Sequence, residues 1–201
     1  MTEMQLGRLL AASLHQAVAD ELPQRLEFYE HWLHSEGLRD GTIGQAPISA
    51  VIGFLRAEGE PYGRVVARAG QLSAEWWVES LPASRRRFIG WLPRPLKVRA
   101  ALRVAGELAR AINSSSEVSR RVRGSLVEWR LTSSVFCSVR STQTTPLCGF
   151  YVALVVRALA LFGLEASGRT DGCKAIEGPA CIVALQLTAA GKGTSSPAIA
   201  A

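Results

Sequence analysis

VSRRVRGSLVEWRLT, residues 118–132, is the stretch on which the fold turns. Within it Val127, Trp129 and Leu131 alternate with Glu128 and Arg130, the twofold period of a strand buried on one face. Val118 to Val122 reads as a partner strand, and Gly124 joins it to the strand Ser125 to Thr132. Leu126 falls on the polar side of the alternation, which leaves the register at the start of the second strand open.

Upstream of this stretch the period is helical. Leu6, Leu9, Leu10, Leu14 and Val18 recur at helical spacing within residues 2–36, and Pro23 breaks the run to start a second helix, Gln24 to Ser35. Gly37, Gly41 and Gly44 punctuate a loop. Pro47 then opens a short helix carrying Ile48, Val51, Ile52 and Leu55, and Gly59 ends it. A longer helix runs from Pro61 or Tyr62 to about Leu81, with Val65, Val66, Ala69, Leu72 and Trp76 inward. Residues 82–95, PASRRRFIGWLPRP, read as a connecting segment with a helical turn, and Leu96 to Ile112 as a strong helix.

Downstream, Pro146 to Phe162 reads as a helix. Leu164 to about Cys173 and Cys181 to Leu187 read as two strands joined by a turn region, Lys174 to Ala180. The order is helices, then strand–strand–helix–strand–strand. This predicts an α+β fold in which N-terminal helices pack on a small antiparallel sheet. Residues 1–190 read as a single domain, and the Gly/Ser/Ala-rich tail 191–201 as disordered.

The composition suits a protein with a real core: 48% of the 201 residues are hydrophobic and 20% are charged. A mean hydropathy of +0.13 leaves room for an apolar pocket or subunit interface. No run reaches the roughly 18–20 apolar residues of a membrane span; the nearest, Phe150 to Leu164, is interrupted by Arg157. The first ten residues, MTEMQLGRLL, lack the features of a signal peptide, so the expected compartment is the cytoplasm. Net charge is +6, almost all of it from arginine, including Arg85-Arg86-Arg87 and Arg120-Arg121 with Arg123. No nucleic-acid motif accompanies these arginines, and they read as a solvated face. The sequence has no P-loop, no dinucleotide fingerprint and no nucleophile–base pair.

Cysteine usage is more informative. In a reducing compartment, clustered cysteines point to metal or chemistry rather than disulfides. Cys173 ends one strand and Cys181 begins the next, so an antiparallel pairing sets the two sulfurs across a hairpin mouth. Cys148 follows Pro146 at a helix start, where the macrodipole and free N–H groups favour thiolate. Three convergent thiolates suit zinc, which takes four ligands. Asp171, two residues before Cys173, is one candidate for the fourth; Cys137 is the other, if Val135 to Val139 lies alongside. Without C-x-x-C pairs, the spacing alone also fits buried inert cysteines. His15, His31 and His34 are all N-terminal and read as surface or interface residues.

Ser133-Ser134-Val135-Phe136 is followed by P-x-C-x-F-Y at Pro146, Cys148, Phe150 and Tyr151. After these come an apolar helix to Gly163, then Cys173, Gly178, Cys181 and a closing apolar strand. By this pattern the stretch Ser133 to Leu187 resembles the 4-vinyl reductase (4VR) domain family. The family is related in fold to vesicle-tethering TRAPP subunits and to haem-based nitric-oxide sensors, and includes ligand-sensing domains of aromatic-responsive bacterial activators. In those sensors three cysteines and a glutamate hold zinc. The resemblance sets Cys148, Cys173 and Cys181 at the cysteine positions, whereas Thr170 stands where the glutamate is expected and Asp171 is the nearest carboxylate.

The resemblance further implies a non-enzymatic module that binds a small apolar or aromatic ligand. It implies a homodimer carrying structural zinc, with a separate protein partner to receive any signal. The expected apolar pocket draws on Trp76, Trp77, Phe88, Trp91, Trp129, Phe136, Phe150 and Tyr151. Two alternatives carry the same resemblance: a tetrapyrrole (bacteriochlorophyll) biosynthesis reductase or accessory protein, and a TRAPP-like scaffold subunit.

Overall fold

In a computed structural model the chain is described over residues 8–32, 45–138, 143–176 and 178–188. The expected start of the first helix, the glycine loop at 37–44 and the tail 191–201 lie outside these residues.

Seven helices and four strands make up the described part. α1 (Arg8–Glu21) ends before a 3-10 turn at Pro23–Arg25, and α2 (Leu26–Trp32) follows. Pro23 breaks α1 as expected, because it has no N–H to continue the ladder. α3 (Gln45–Ala57) buries Ile48, Val51, Ile52 and Leu55 completely, at the spacing read from the sequence. Each such side chain contributes about 1.5–3 kcal/mol by leaving water. Gly59 follows with φ of 75°, a left-handed conformation that releases the chain into α4 (Pro61–Ser80).

The segment read as a connector with a helical turn is helical over nine residues, α5 (Ala83–Trp91). Pro82 at its N-cap and Pro93 beyond its end bound it, and prolines at both ends of so short a piece read locally as loop. Tertiary contact through Ile89, its one buried residue, holds it in place. α6 (Arg94–Ile112) buries Val98, Leu102, Val104, Ala105 and Leu108.

The sheet comprises β1 (Val118–Arg123), β2 (Leu126–Leu131), β3 (Ala166–Gly172) and β4 (Cys181–Leu187), in the order β1-β2-β4-β3 with antiparallel neighbours throughout. The register that Leu126 left open is settled. It pairs with Arg123 and Gln186 and is 59% exposed, on the outer face with Glu128 and Arg130. Val127, Trp129, Leu131, Val183, Leu185 and Leu187 are buried beneath the helices. One covered face and one wet face are what an antiparallel sheet permits.

α7 (Gly149–Leu161) lies between β2 and β3 in sequence and between the sheet and α4 in space. Two glycines set how close it comes. A Cβ on Gly70 of α4 would run into the backbone of Phe150 and Leu154, and one on Gly168 of β3 would lie 2.8–3.1 Å from Leu185, Val156 and Val152. Arg157, which breaks the apolar run of α7, reaches Glu75 of α4 at 2.8 Å. Buried residues from the helical half and the sheet half make one continuous cluster.

Candidate metal centre and its aromatic wall

Four separate pieces of chain each deliver one cysteine to the same point. Cys137 closes a 3-10 turn, Val135–Cys137, after β2. Cys148 is the N-cap of α7, Cys173 follows the end of β3, and Cys181 is the first residue of β4. The hairpin mouth is tight because Gly178 donates its N–H to the Cys173 carbonyl at 3.1 Å; a Cβ there would sit 2.7 Å from that carbonyl oxygen. Any larger residue would force the turn open and part Cys173 from Cys181.

All four thiols are buried, and their sulfurs lie within 4.8 Å of one another. The Sγ–Sγ distances are 3.0 Å for Cys137–Cys148, 3.4 Å for Cys137–Cys173, 3.3 Å for Cys148–Cys173 and 3.4 Å for Cys181–Cys137. A disulfide is about 2.05 Å, so none of these pairs is bonded. Zinc–sulfur bonds of about 2.3 Å set the corners of a tetrahedron roughly 3.8 Å apart. Small outward steps of the sulfurs therefore make room for such an ion.

The surroundings favour negative charge on one of the sulfurs and oppose it on its neighbours. The Leu147 N–H donates to Cys173 Sγ at 3.5 Å, and Cys148 stands at the N-terminus of α7. Hydrogen bonds from Cys137 and Cys148, with help from the Lys174 backbone and ammonium, pull the Cys181 thiol down to about 3. Its neighbours Cys137 and Cys181, together with burial, push the Cys148 thiol far above its usual range. A cluster of bare thiols thus holds its first negative charge easily and resists the next, because buried like charges repel. A divalent cation removes that resistance.

Asp171 is not brought to this point. The β3–β4 register slips between Thr170 and Gly172, so the strand does not continue regularly to Cys173. The Asp171 carboxylate instead accepts from Arg169 Nε at 2.8 Å and is 43% exposed. Cys137, the other candidate, occupies the fourth corner. The 3-10 turn that carries it has no periodicity long enough to read from sequence.

Against the thiols stands an aromatic wall. Phe136 and Phe150 stack with centroids 4.6 Å apart, Tyr151 meets both edge-on, and Trp129 lies 6.1 Å from Tyr151. All four are fully buried. Trp129 Nε1, the Tyr151 hydroxyl and Ser134 Oγ are buried without a well-aligned hydrogen bond among the described residues, although Ser134 lies near enough to Tyr151 to oppose part of the upward shift of its phenol. Burial pushes the Tyr151 phenol well above its ordinary range, so it is a neutral donor. Of the other expected pocket residues, Trp76 and Trp77 pack against the core from α4 and are half-buried. Phe88 and Trp91 point to solvent from α5, 64% and 82% exposed, because Ile89 alone faces inward there. His15 lies on the surface beside Glu30 at 3.1 Å and is the one histidine whose side chain is described.

No family model matches the chain, and no curated protein matches it. Solved structures do. The phenol-responsive sensory domain of the transcription activator PoxR, solved with phenol, superposes with a TM-score of 0.52 at 13% identity, covering 72% of this chain and 75% of that one. An H-NOX protein from S. oneidensis in the Fe(II)NO ligation state gives 0.57 at 13% identity, over 92% of this chain and 100% of that one. An unliganded Fe(II) H-NOX mutant from K. algicida gives 0.59 at 12% identity, over 92% and 98%. At such identities the likeness is one of fold.

Proposed function

We propose that the chain is a small-molecule sensor module of 4VR type, built around a structural zinc centre. The convergence of four buried cysteines from four pieces of chain carries the reading. Cys137, Cys148, Cys173 and Cys181 would hold the ion. A closed sulfur set leaves no open position for substrate, so the ion's chemistry is to fix the fold. It would tie the start of α7 to the β3–β4 hairpin, the elements that carry Phe150, Tyr151 and the inner strand. The solved neighbours supply the fold-level support, one being a phenol-responsive sensory domain and the others H-NOX proteins.

The ligand reading rests on the unpartnered polar atoms. Buried donors left unmade cost about 1–3 kcal/mol each. A small aromatic or hydroxylated molecule that settled against Phe136 and Phe150 would accept from Trp129 Nε1 and Tyr151.

Native mass spectrometry of the purified protein tests the reading, since it weighs metal and copurified ligand together. The expected result is one zinc per chain, with both zinc and thermal stability lowered in Cys173→Ser. A metal-free wild type as stable as the zinc-supplemented protein would sink the zinc centre. A phenol titration that leaves tryptophan fluorescence unchanged would count against the aromatic ligand.

A further inference from the structure

The charge of this chain is segregated. Residues 83–123 carry eleven Lys and Arg against two Glu, while all other residues together carry twelve basic and fifteen acidic side chains. The basic stretch comprises α5, α6 and β1, and its most prominent apolar groups face water. Phe88 is 64% exposed, Trp91 82% and Leu96 47%. They stand around the corner where α5 turns into α6 through Pro93 and Pro95. α5 contributes only Ile89 to the core, so folding alone does not account for a nine-residue helix that displays Phe88 and Trp91.

On one side of α5, Phe88 and Leu96 border a depression of about 610 Å³ whose charged residues are Arg99, Arg103 and Arg120, with no acidic residue among its lining. None of these three arginines is in an ion pair among the described residues, whereas Arg85 is spent on Glu107 at 2.7 Å. The other side of α5 is mixed, with Glu75 and Glu79 near Arg86 and Arg87.

The geometry points to a docking surface for an anionic lipid bilayer, with the α5–α6 corner inserted at the headgroup level. Tryptophan, phenylalanine and leucine beside arginines match what a membrane interface takes up: apolar side chains enter the acyl boundary while guanidiniums stay with the phosphates. A nucleic acid would satisfy the arginines and leave Leu96 in water. A second copy of the chain would set this basic face against itself. The surface is independent of the metal centre and of the ligand.

Pelleting of the full chain with vesicles tests it. Vesicles of phosphatidylglycerol and phosphatidylcholine in equal parts are expected to bind it, and pure phosphatidylcholine vesicles are not. Phe88→Ser with Trp91→Ser is expected to weaken binding at least about tenfold. Neutralising two charges in Arg99→Gln with Arg103→Gln should weaken it about 25-fold, at roughly fivefold per charge, while the lysine pair at the same positions keeps binding. All these side chains are exposed, so wild-type melting behaviour of the variants separates lost binding from lost folding. Absence of binding to the anionic vesicles overturns the proposal. So does binding that the serine pair leaves unchanged, or displacement of the vesicles by a single-stranded oligonucleotide at equal phosphate.

Discussion

Replacing Cys137 with serine separates the two fourth ligands that the sequence left open. Cys137 Sγ lies 3.0–3.4 Å from each of its three partners and is almost fully buried. A structural zinc site is worth roughly 10–16 kcal/mol in apparent binding at neutral pH. One ligand of four therefore carries about 3 kcal/mol, and its loss should weaken zinc on the order of 100-fold. With free zinc in excess, a hundredfold loss of affinity lowers folding stability by about 2.7 kcal/mol. For a chain of this length that is a fall in Tm of about 5–10 °C. Asp171→Asn removes only an exposed pairing with Arg169 and should change stability by less than about 1 kcal/mol, leaving zinc in place. Competition with a chromophoric chelator, alongside thermal melts with and without added zinc, measures both effects. Zinc retained by Cys137→Ser and lost by Asp171→Asn would refute the reasoning, because the carboxylate would then be the ligand.

Other outcomes follow from the packing. Gly70→Ala should cost about 1–2 kcal/mol in denaturant unfolding, since its Cβ meets helix backbone that cannot swing away and better helix propensity offsets only part of this. Tyr151→Phe should leave the ligand-free protein equally stable or up to about 1 kcal/mol more stable, because the hydroxyl it removes has no well-aligned partner among the described residues; a large loss in the melt would show that it is bonded, Ser134 being the nearby group. Asp20 is held below its ordinary 3.8 by hydrogen bonds from Gln16 and then Arg68. Its small contribution is therefore present above pH 3.8 and disappears as pH falls through the lowered folded value, so Asp20→Asn should flatten the acid limb of the stability profile.

Much of the architecture was legible along the chain because helix and strand each impose a period on a buried face. α3 and α6 bury the residues that their spacing nominated, α4 buries all of its own but the half-buried Trp76, and β2 alternates from Val127 to Leu131 as read. Where the local signal was short, reading failed for a definite reason. The stretch 82–95 reads as a connector with a helical turn because its bounding prolines outweigh nine residues of weak periodicity, and a single buried side chain, Ile89, gives no period to read.

The sequence by itself determined the α+β order, the covered face of the sheet and three of the four cysteines that meet. Hydrophobic periodicity, a helix start and a hairpin are local facts, and local chemistry writes them into the chain. Which group completes the cluster is not local. Asp171 is two residues from Cys173 in sequence, yet the irregular β3–β4 register leaves it with Arg169. Cys137 is 36 residues from Cys173, yet their sulfurs lie 3.4 Å apart. Only packing of α7 against the sheet, with the 3-10 turn folded beneath it, closes that distance. Tertiary structure likewise divided the aromatic residues, gathering Trp129, Phe136, Phe150 and Tyr151 in the core and leaving Phe88 and Trp91 in water.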